Sequence, residues 1–196
     1  VPSPRHSFRI SVSRAYRTPS FIEEYADFTV RAPFPPFYIG QKYGTGLDPE
    51  RIVAFELGYR GRYLGERLSL NVELFYHDIN DVILYRDERV DSIYQYDNYE
   101  NNHVHGLEVS GIWKVTERVR LNMAYSYQQG SDSYLRGLII EQKCNVGCRV
   151  SLPYGFSASM HMYYVDLFKF KDEAWVPAST VKDYTRLDVR IAKTFL

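Results

Sequence analysis

The chain has 196 residues, of which 45% are hydrophobic, and its formal net charge is zero. This length allows one domain with a sizeable core, and the balanced charge gives no electrostatic reason to expect a nucleic-acid partner. Because no run of about 18 apolar residues occurs, the sequence predicts no transmembrane helix, and a closed β-barrel is the only other structure that can span a bilayer.

Alternating side chains predict β-strands along the whole chain. A pleated strand has a side-chain period of two, so one face becomes apolar and the other polar. Residues 119–127 show the pattern most clearly, with apolar side chains at odd positions and small, polar or charged ones at even positions. In chain order, the predicted strands cover residues 5–16, 49–63, 68–85, 92–114, 119–127, 138–152, 156–168 and the segment after 182. The predicted fold class is all-β, antiparallel and up-and-down.

The connections between these strands alternate between long and short. The long ones lie at 17–48, around 86–92, at 129–137 and at 169–182, and the short ones lie near 64–67, 115–118 and 153–155. In an up-and-down sheet, alternate connections fall at opposite ends, so all the long loops share one end. Outer-membrane barrels arrange extracellular loops and periplasmic turns in this way.

Most of the charged residues in the predicted strands lie at the polar positions of the alternation. An Arg or Lys that faces lipid at the bilayer centre costs about 2–4 kcal/mol, so a membrane barrel keeps charge away from its outward parity. Many of the 18 tyrosines lie near strand ends, where a ring with a polar tip suits the boundary between lipid and water. Eight charged residues are predicted to face a hydrated or plugged lumen: Glu56, Arg60, Glu73, Glu108, Arg120, Arg149, Asp188 and Arg190.

Two other classes of protein fit part of this pattern. A soluble, tyrosine-rich β-sandwich or small soluble barrel would turn the same apolar parity inward onto a dry core. A complete small eight-stranded outer-membrane protein would match the strand count. Purification without detergent would identify the sandwich, and refolding alone into micelles as a heat-modifiable band would identify the small barrel.

Two cysteines and two histidines are candidate metal ligands, and the two cysteines are also a candidate disulfide. Cys144 and Cys148 lie four apart in one predicted strand, so their Cα atoms are about 13 Å apart, and a disulfide needs less than about 7 Å. They are predicted to be free thiols. His103 and His105 point the same way on a strand, but paired histidines at a loop edge are more often simply polar. The sequence predicts no metal site and no cofactor.

One polar set could suggest hydrolase chemistry. Ser157, Ser159 and His161 share a face of the seventh predicted strand. No oxyanion motif or orienting acid occurs at a suggestive spacing, and a serine nucleophile needs both. The chain is therefore not predicted to be an enzyme.

Several motifs, in order, resemble the C-terminal part of the β-barrel of a TonB-dependent outer-membrane receptor. They cover nearly the whole chain, and their order is more specific than any one of them. They are Ser13-Arg14-Ala15-Tyr16-Arg17-Thr18-Pro19-Ser20-Phe21, Leu47-Asp48-Pro49-Glu50, Phe55-Glu56-Leu57-Gly58-Tyr59-Arg60, Leu74-Phe75-Tyr76-His77-Asp78-Ile79-Asn80-Asp81-Val82-Ile83, Gly106-Leu107-Glu108 with the preceding Asn101 and Asn102, Tyr163-Tyr164-Val165-Asp166, Val176-Pro177 and Leu187-Asp188-Val189-Arg190.

The resemblance implies a partial barrel domain over residues 1–196. The family's barrel has about 22 strands around a plug, whereas eight strands are predicted here. The family closes with two more strands and a terminal aromatic residue, whereas this chain ends Lys193-Thr194-Phe195-Leu196. No signal peptide precedes the first predicted strand, so an exported protein is expected to begin elsewhere.

The resemblance also implies a function in the bacterial outer membrane, in contact with its lipid. It implies energy-coupled uptake of a scarce small solute, such as a ferric siderophore, haem, cobalamin or a glycan, with a TonB-type energy-transducing complex as the partner through the plug. Aromatic and arginine side chains in the loops and upper lumen suit flat or anionic ligands, although loop aromatics can also simply pack on one another. The candidate ligand-binding residues are Arg14, Arg31, Phe34, Phe37, Tyr38, Tyr94, Tyr96, Tyr99, His103 and His105.

Overall fold

The segments whose side chains alternate with a period of two form β-strands, as the sequence predicts. The computed structural model describes residues 5–33, 36–42, 46–88, 93–99, 101–131, 139–170 and 179–195. Its elements are β1 (His6–Arg17), α1 (Phe21–Tyr25), β2 (Phe28–Pro33), β3 (Pro36–Lys42), β4 (Glu50–Tyr63), β5 (Leu68–Asn80), β6 (Val82–Glu88), β7 (Ile93–Tyr99), β8 (Asn102–Lys114), β9 (Val119–Gly130), β10 (Gln142–Ser151), β11 (Phe156–Val165), β12 (Phe168–Phe170), β13 (Ser179–Val181) and β14 (Tyr184–Lys193).

Eight long strands form the main sheet, in the order β1-β4-β5-β8-β9-β10-β11-β14. Every neighbouring pair is antiparallel, and each strand pairs with the next long strand along the chain. The predicted all-β, up-and-down fold is therefore confirmed. Within the described residues β1 and β14 are the two edges of this sheet, so it does not close on itself as a complete eight-stranded barrel would.

The turns between long strands fall at opposite ends of the sheet, as predicted. Short turns join β4 to β5, β8 to β9 and β10 to β11 at one end, here called the turn end. The first of these contains Leu64, Gly65 and Glu66, all with positive φ of 54 to 69°. The other connections, at the opposite or loop end, are longer, and three of them contain described elements: α1, β2 and β3 in the first, β6 and β7 in the second, and β12 and β13 in the last.

The loop end differs from the sequence prediction. Residues 68–85 were expected to form one strand, but the ladder ends at Asn80 because Asp81 adopts φ 60°, a left-handed conformation that interrupts a strand. The predicted strand 92–114 likewise divides into β7 and β8. β6 and β7 leave the main sheet and join β2 and β3 in a second, four-stranded sheet, here called the loop sheet, of order β2-β3-β7-β6.

The apolar side of the main sheet has no cover in the described part of the chain. Phe8 is 71% exposed, Ile10 80% and Met160 50%. Among the side chains that the structure describes, Ile83 is the one buried hydrophobic residue. A soluble sandwich would bury these residues against a second layer. The described residues supply no such second layer. None of the described helical segments is long and apolar enough to cross a membrane.

Candidate functional site

The strand register brings one parity of all eight long strands onto a single surface, here called the polar face. Residues paired across antiparallel strands point to the same side, so each pair extends the face by one strand. Glu73 lies opposite Gly58 on one side and Glu108 on the other, and Glu108 lies opposite Ser126. The polar face contains all eight charged residues selected from the sequence: Glu56, Arg60, Glu73, Glu108, Arg120, Arg149, Asp188 and Arg190. That this face lines a lumen stays a prediction.

Three carboxylates form an acidic cluster on the polar face of β4, β5 and β8. Arg9 connects two of them, because its Nη2 atom lies 3.4 Å from Glu56 Oε2 and also donates to Glu73 Oε1. Glu108, opposite Glu73, accepts a 3.4 Å hydrogen bond from Ser126 Oγ. Among the described residues no cation lies within 4 Å of Glu108, so one carboxylate of the cluster keeps capacity for an external donor.

Beside the acidic cluster, the polar face contains a cleft of about 390 Å³. A volume of about 300–1,000 Å³ is typical of small-molecule sites. The side chains that line it from the polar face are Asn71, Glu73, Glu108, Ser110, Ala124, Ser126, Lys143, Asn145, Tyr163 and Val165. Next to it, the guanidinium carbon of Arg186 lies 4.8 Å from the centre of the Tyr163 ring. The cleft can therefore both donate and accept hydrogen bonds.

An arginine at the loop end connects three elements. Arg17 Nε and Nη2 donate to Glu50 Oε2 and Oε1 at 2.5 and 2.7 Å, and Arg17 Nη1 donates to Glu23 at 3.0 Å. Glu23 also closes a capping box with Ser20 at the start of α1. Arg17 thus ties the end of β1 to the start of β4 and to α1.

The same contacts set the charge of Glu23. Partial burial alone would raise its pKa, but hydrogen bonds from Ser20 and Arg17 and the charge of Arg17 outweigh burial, so the pKa lies below its ordinary value of 4.5. A lowered pKa stabilises the folded state at neutral pH, and that contribution is lost as the pH falls through the lowered value.

Replacing Arg17 tests this connection. Arg17→Gln keeps a long polar side chain but removes the charge shared by two carboxylates, and we expect a loss of roughly 1 kcal/mol in local stability because the contacts are partly exposed. Limited proteolysis of the full-length receptor should cut faster near α1. Arg14→Gln is the matched control, because Arg14 lies over the Tyr16 ring at 4.7 Å rather than beside a carboxylate. Equal cutting rates in the two variants would contradict the role of Arg17 in holding α1 to β1 and β4.

A single asparagine holds the β6–β7 hairpin to the start of β4. The amide oxygen of Asn98 accepts from Asp48 N at 2.8 Å, and its Nδ2 donates to Asp48 O at 2.9 Å and to Asp81 O at 2.7 Å. Nearby, Ile83 N donates to Glu50 Oε1 at 2.8 Å. The loop sheet is therefore held to the main sheet by specific hydrogen bonds. Sequence reasoning missed Asn98, since nothing in its neighbourhood distinguishes it from an ordinary turn residue.

The loop sheet contains six of the ten residues predicted to contact a ligand. Arg31 lies in β2 opposite Tyr38 in β3, where Phe37 also lies, and Tyr94 lies in β7 opposite Gln41. Tyr96 and Tyr99 lie further along β7, where Tyr99 is 40% exposed. Phe34 lies outside the described residues. The fold thus collects most of these residues in one small sheet at the loop end, and their contact with a ligand stays a prediction.

The remaining three candidates lie elsewhere. Arg14, His103 and His105 have the parity of the apolar residues, because Arg14 pairs with Val53, and His105 pairs with Tyr76. The two histidine rings do lie on one side, with centroids 6.0 Å apart, and His103 also stacks on Tyr76 at 5.4 Å. Their position favours a role at the outer rim over one in the upper lumen. Among the described residues no three metal-ligating side chains come together.

The opposite surface of the main sheet, here called the apolar face, contains the other parity. Leu74 is 47% exposed, and Met160 and Ile191 are 50% and 74% exposed. At the turn end Tyr59 donates or accepts a hydrogen bond with Tyr63, and its hydroxyl lies 2.8 Å from His6 Nδ1. Cys144 and Cys148 also belong to this parity and are free thiols, as predicted. An apolar band bordered by tyrosines matches a lipid-facing surface.

Several solved structures share this fold. The siderophore receptor PirA from Acinetobacter baumannii aligns with a TM-score of 0.73 and 15% identity over 99% of this chain and 33% of that protein. A mutant of the ferric enterobactin receptor PfeA from Pseudomonas aeruginosa aligns with a TM-score of 0.74 and 15% identity over 100% of this chain and 31% of that protein. The FrpB iron transporter from Neisseria meningitidis aligns with a TM-score of 0.69 and 13% identity over 99% of this chain and 31% of that protein. The chain therefore spans about a third of their length.

The sequence itself matches one family. No curated protein sequence matched the chain. The sequence model described as "TonB dependent receptor-like, beta-barrel" matches residues 1–195, nearly the whole chain. This match agrees with the two-faced antiparallel sheet and with its long loops at one end. The chain therefore belongs to the TonB-dependent receptor β-barrel family and is a protein of the bacterial outer membrane.

Proposed function

We propose that residues 1–196 form part of the barrel wall of a receptor that imports a scarce solute across the outer membrane. The observation that supports this most is the pairing of an uncovered apolar face with a charged, hydrogen-bonding face on the same strands. The first suits lipid, and the second suits a hydrated or plugged passage. The loop sheet at one end supplies arginine and aromatic residues for capturing the solute.

A ferric siderophore is the solute class to test first. The aligned proteins include a siderophore receptor, a ferric enterobactin receptor and an iron transporter. Iron-loaded siderophores are often anionic and carry flat aromatic groups, which arginine and tyrosine side chains bind by charge and stacking. Haem, cobalamin and glycans are the alternative cargoes. Uptake is proposed to draw energy from a TonB-type complex.

The experiment is a transport assay on the full-length receptor. Cells that express it and lack other iron receptors should accumulate a radiolabelled ferric siderophore from a panel, and dissipating the inner-membrane potential should abolish accumulation. The structural variant is Asn98→Ala, which removes three hydrogen bonds that hold the loop sheet and should raise the half-saturating concentration. Asn122→Ala is the control, because Asn122 lies on the polar face of β9 and does not line the cleft. Accumulation that persists without the membrane potential would indicate a passive pore and contradict the proposal.

A further inference from the structure

The cleft beside the acidic cluster lies over two neighbouring rows of paired residues in the main sheet, and it is here called the wall cleft. Its first row, from β5 to β11, consists of Glu73, Glu108, Ser126, Lys143 and Val165. Its second row consists of Asn71, Ser110, Ala124, Asn145 and Tyr163. Because paired residues point to the same side of a sheet, both rows belong to the polar face.

Differences in side-chain length give the wall cleft its shape. The short side chains of Ser110, Ala124 and Ser126 form the floor. Longer side chains stand on either side of Ser126, with Glu108 on β8 and Lys143 on β10. Their Cα atoms are two strand spacings apart, or about 10 Å. The wall cleft therefore has an acidic edge and a basic edge that face each other across a low floor.

The charged groups at both edges are available to a solute. Glu108 is exposed and accepts one 3.4 Å hydrogen bond from Ser126 Oγ, whereas Glu73 is already bound to Arg9. Lys143 is also exposed, and in the part of the chain that the structure describes no carboxylate lies within 4 Å of its Nζ atom. A direct pair between Glu108 and Lys143 would be exposed, and such pairs contribute only about 0–1 kcal/mol, so a solute can replace it at little cost.

The second row is satisfied by its own contacts. Asn71 Oδ1 accepts a hydrogen bond from Arg60 Nε at 2.8 Å, and Asn71 Nδ2 donates to Ser110 Oγ at 3.3 Å. These contacts hold one side of the floor in place. The charge of the wall cleft therefore acts on a solute mainly through Glu108 and Lys143.

The basic edge lies toward the loop end. Lys143 is the second residue of β10, and its neighbour Val165 is the last residue of β11. Both positions are at the end of these strands that lies away from the short β10–β11 turn. A solute that enters past the loop sheet would therefore meet the basic edge of the wall cleft before the floor.

The two opposite charges select the occupant. A purely anionic solute would be repelled by Glu108, and a purely cationic one would be repelled by Lys143. A solute with an ammonium group and a carboxylate can make a charge-assisted hydrogen bond at each edge. The volume of about 390 Å³ suits a small molecule or one arm of a larger one.

We propose that the wall cleft is a subsite for a zwitterionic solute, whose ammonium group donates to the Glu108 carboxylate and whose carboxylate accepts from Lys143 Nζ. This inference rests on the proposed function and deepens it, because it names the chemical class of the cargo as an iron chelate that has both an amine and a carboxylate. Recognition needs both edges, so blocking either charge of the solute weakens binding.

The test is a binding cycle on the purified full-length receptor in detergent micelles. The probe is a ferric trihydroxamate chelate that has one primary amine and one carboxylate, and it is compared with its N-acetylated form and its methyl ester by isothermal titration calorimetry. We expect acetylation to weaken binding about tenfold, because one charge-assisted hydrogen bond is lost. Glu108→Gln should weaken the parent chelate by the same factor and leave the acetylated form unchanged. Lys143→Gln should show the same relation to the ester.

The matched controls are Glu117→Gln and Lys114→Gln. They remove the same two charges at the turn end, outside the wall cleft, so both variants should keep the full preference for the parent chelate. Heat-modifiable migration on gels verifies that each variant folds.

The outcomes separate this inference from the function on which it rests. Equal affinities for the parent and acetylated chelates, equal losses in Glu108→Gln and Glu117→Gln, or no binding of the parent chelate overturns the subsite. Energy-dependent uptake of chelates that lack the amine, together with no coupling to Glu108, leaves transport standing and rejects the subsite. Coupling to Glu108 and Lys143 without energy-dependent accumulation of the same chelate supports the subsite and rejects import.

Discussion

Leu74→Arg is expected to prevent most of the full-length receptor from assembling in the outer membrane. Leu74 lies midway along β5 on the apolar face, between Leu57 and Leu107 on the neighbouring strands, and it is 47% exposed in the isolated sheet. If lipid covers that surface, an arginine there costs about 2–4 kcal/mol. The measurement is the folded fraction, read from heat-modifiable migration and from unfolding in urea.

The control is Ser69→Arg on the same strand. Ser69 has the opposite parity and belongs to the polar face, where it lies between Arg62 and Ile112. A charge there meets water, so assembly should remain close to that of the unchanged receptor. If Ser69→Arg were as harmful as Leu74→Arg, lipid would not be the feature that distinguishes the two faces.

Gly106→Ala is expected to destabilise the barrel by about 1–3 kcal/mol, the usual cost of adding a group where no space exists. A Cβ at this position would overlap the main-chain carbonyl oxygen of Tyr127 and the ring of Phe75, its cross-strand neighbour. The ring could rotate away, but the carbonyl belongs to the β8–β9 ladder and cannot move without breaking it. Unfolding of the refolded receptor in urea measures the loss.

Gly111→Ala is the matched control on the same strand. There the added Cβ would have its nearest neighbour, Ser69 O, at 3.3 Å, and then Met123 Cγ at 3.7 Å. Small adjustments accommodate such contacts, so the unfolding midpoint should change much less. Equal losses in the two variants would mean that glycine is needed at Gly106 for a reason other than close packing against Tyr127.

The strands and their two faces could be predicted from the sequence because the information is local. Residues 119–127 alternate without interruption, and a two-residue period has one structural interpretation, so β9 and its parity followed directly. The pairing order followed as well, since short turns force consecutive strands to be neighbours. Neighbouring windows such as Leu68 to Leu74 could be read by the same rule.

The structure of the loop end could not be predicted, because it depends on contacts between distant residues. The sequence gives no sign that Asp81 takes a left-handed conformation, so β5 and β6 were read as one strand. Two of the three hydrogen bonds of Asn98 reach back to Asp48 and the third reaches Asp81, and no local pattern encodes them. Arg14, His103 and His105 were chosen for their chemistry, and only the register showed that they share the parity of the apolar face.

Arg120 and Arg149 illustrate a third case, in which the sequence identified the residues but not their arrangement. Arg120 and Arg149 were both expected on the polar face. Their direct opposition depends on the register between β9 and β10, which a shift of two residues would remove while keeping the same faces. Register is set by the geometry of the whole sheet, so only the structure could show the repulsive pair.

Spin labels on the full-length receptor in lipid bilayers test most directly which face meets lipid. Labels attached to cysteines at positions 74 and 160, in a receptor whose Cys144 and Cys148 are replaced by serine, should collide with dissolved oxygen, which concentrates in the hydrocarbon. Labels at positions 126 and 145 on the polar face should instead collide with a water-soluble nickel chelate or be shielded from both reagents. Collision of the labels at 74 and 160 with the nickel chelate, together with oxygen contact at 126 and 145, would contradict the orientation on which the receptor assignment of this sheet depends.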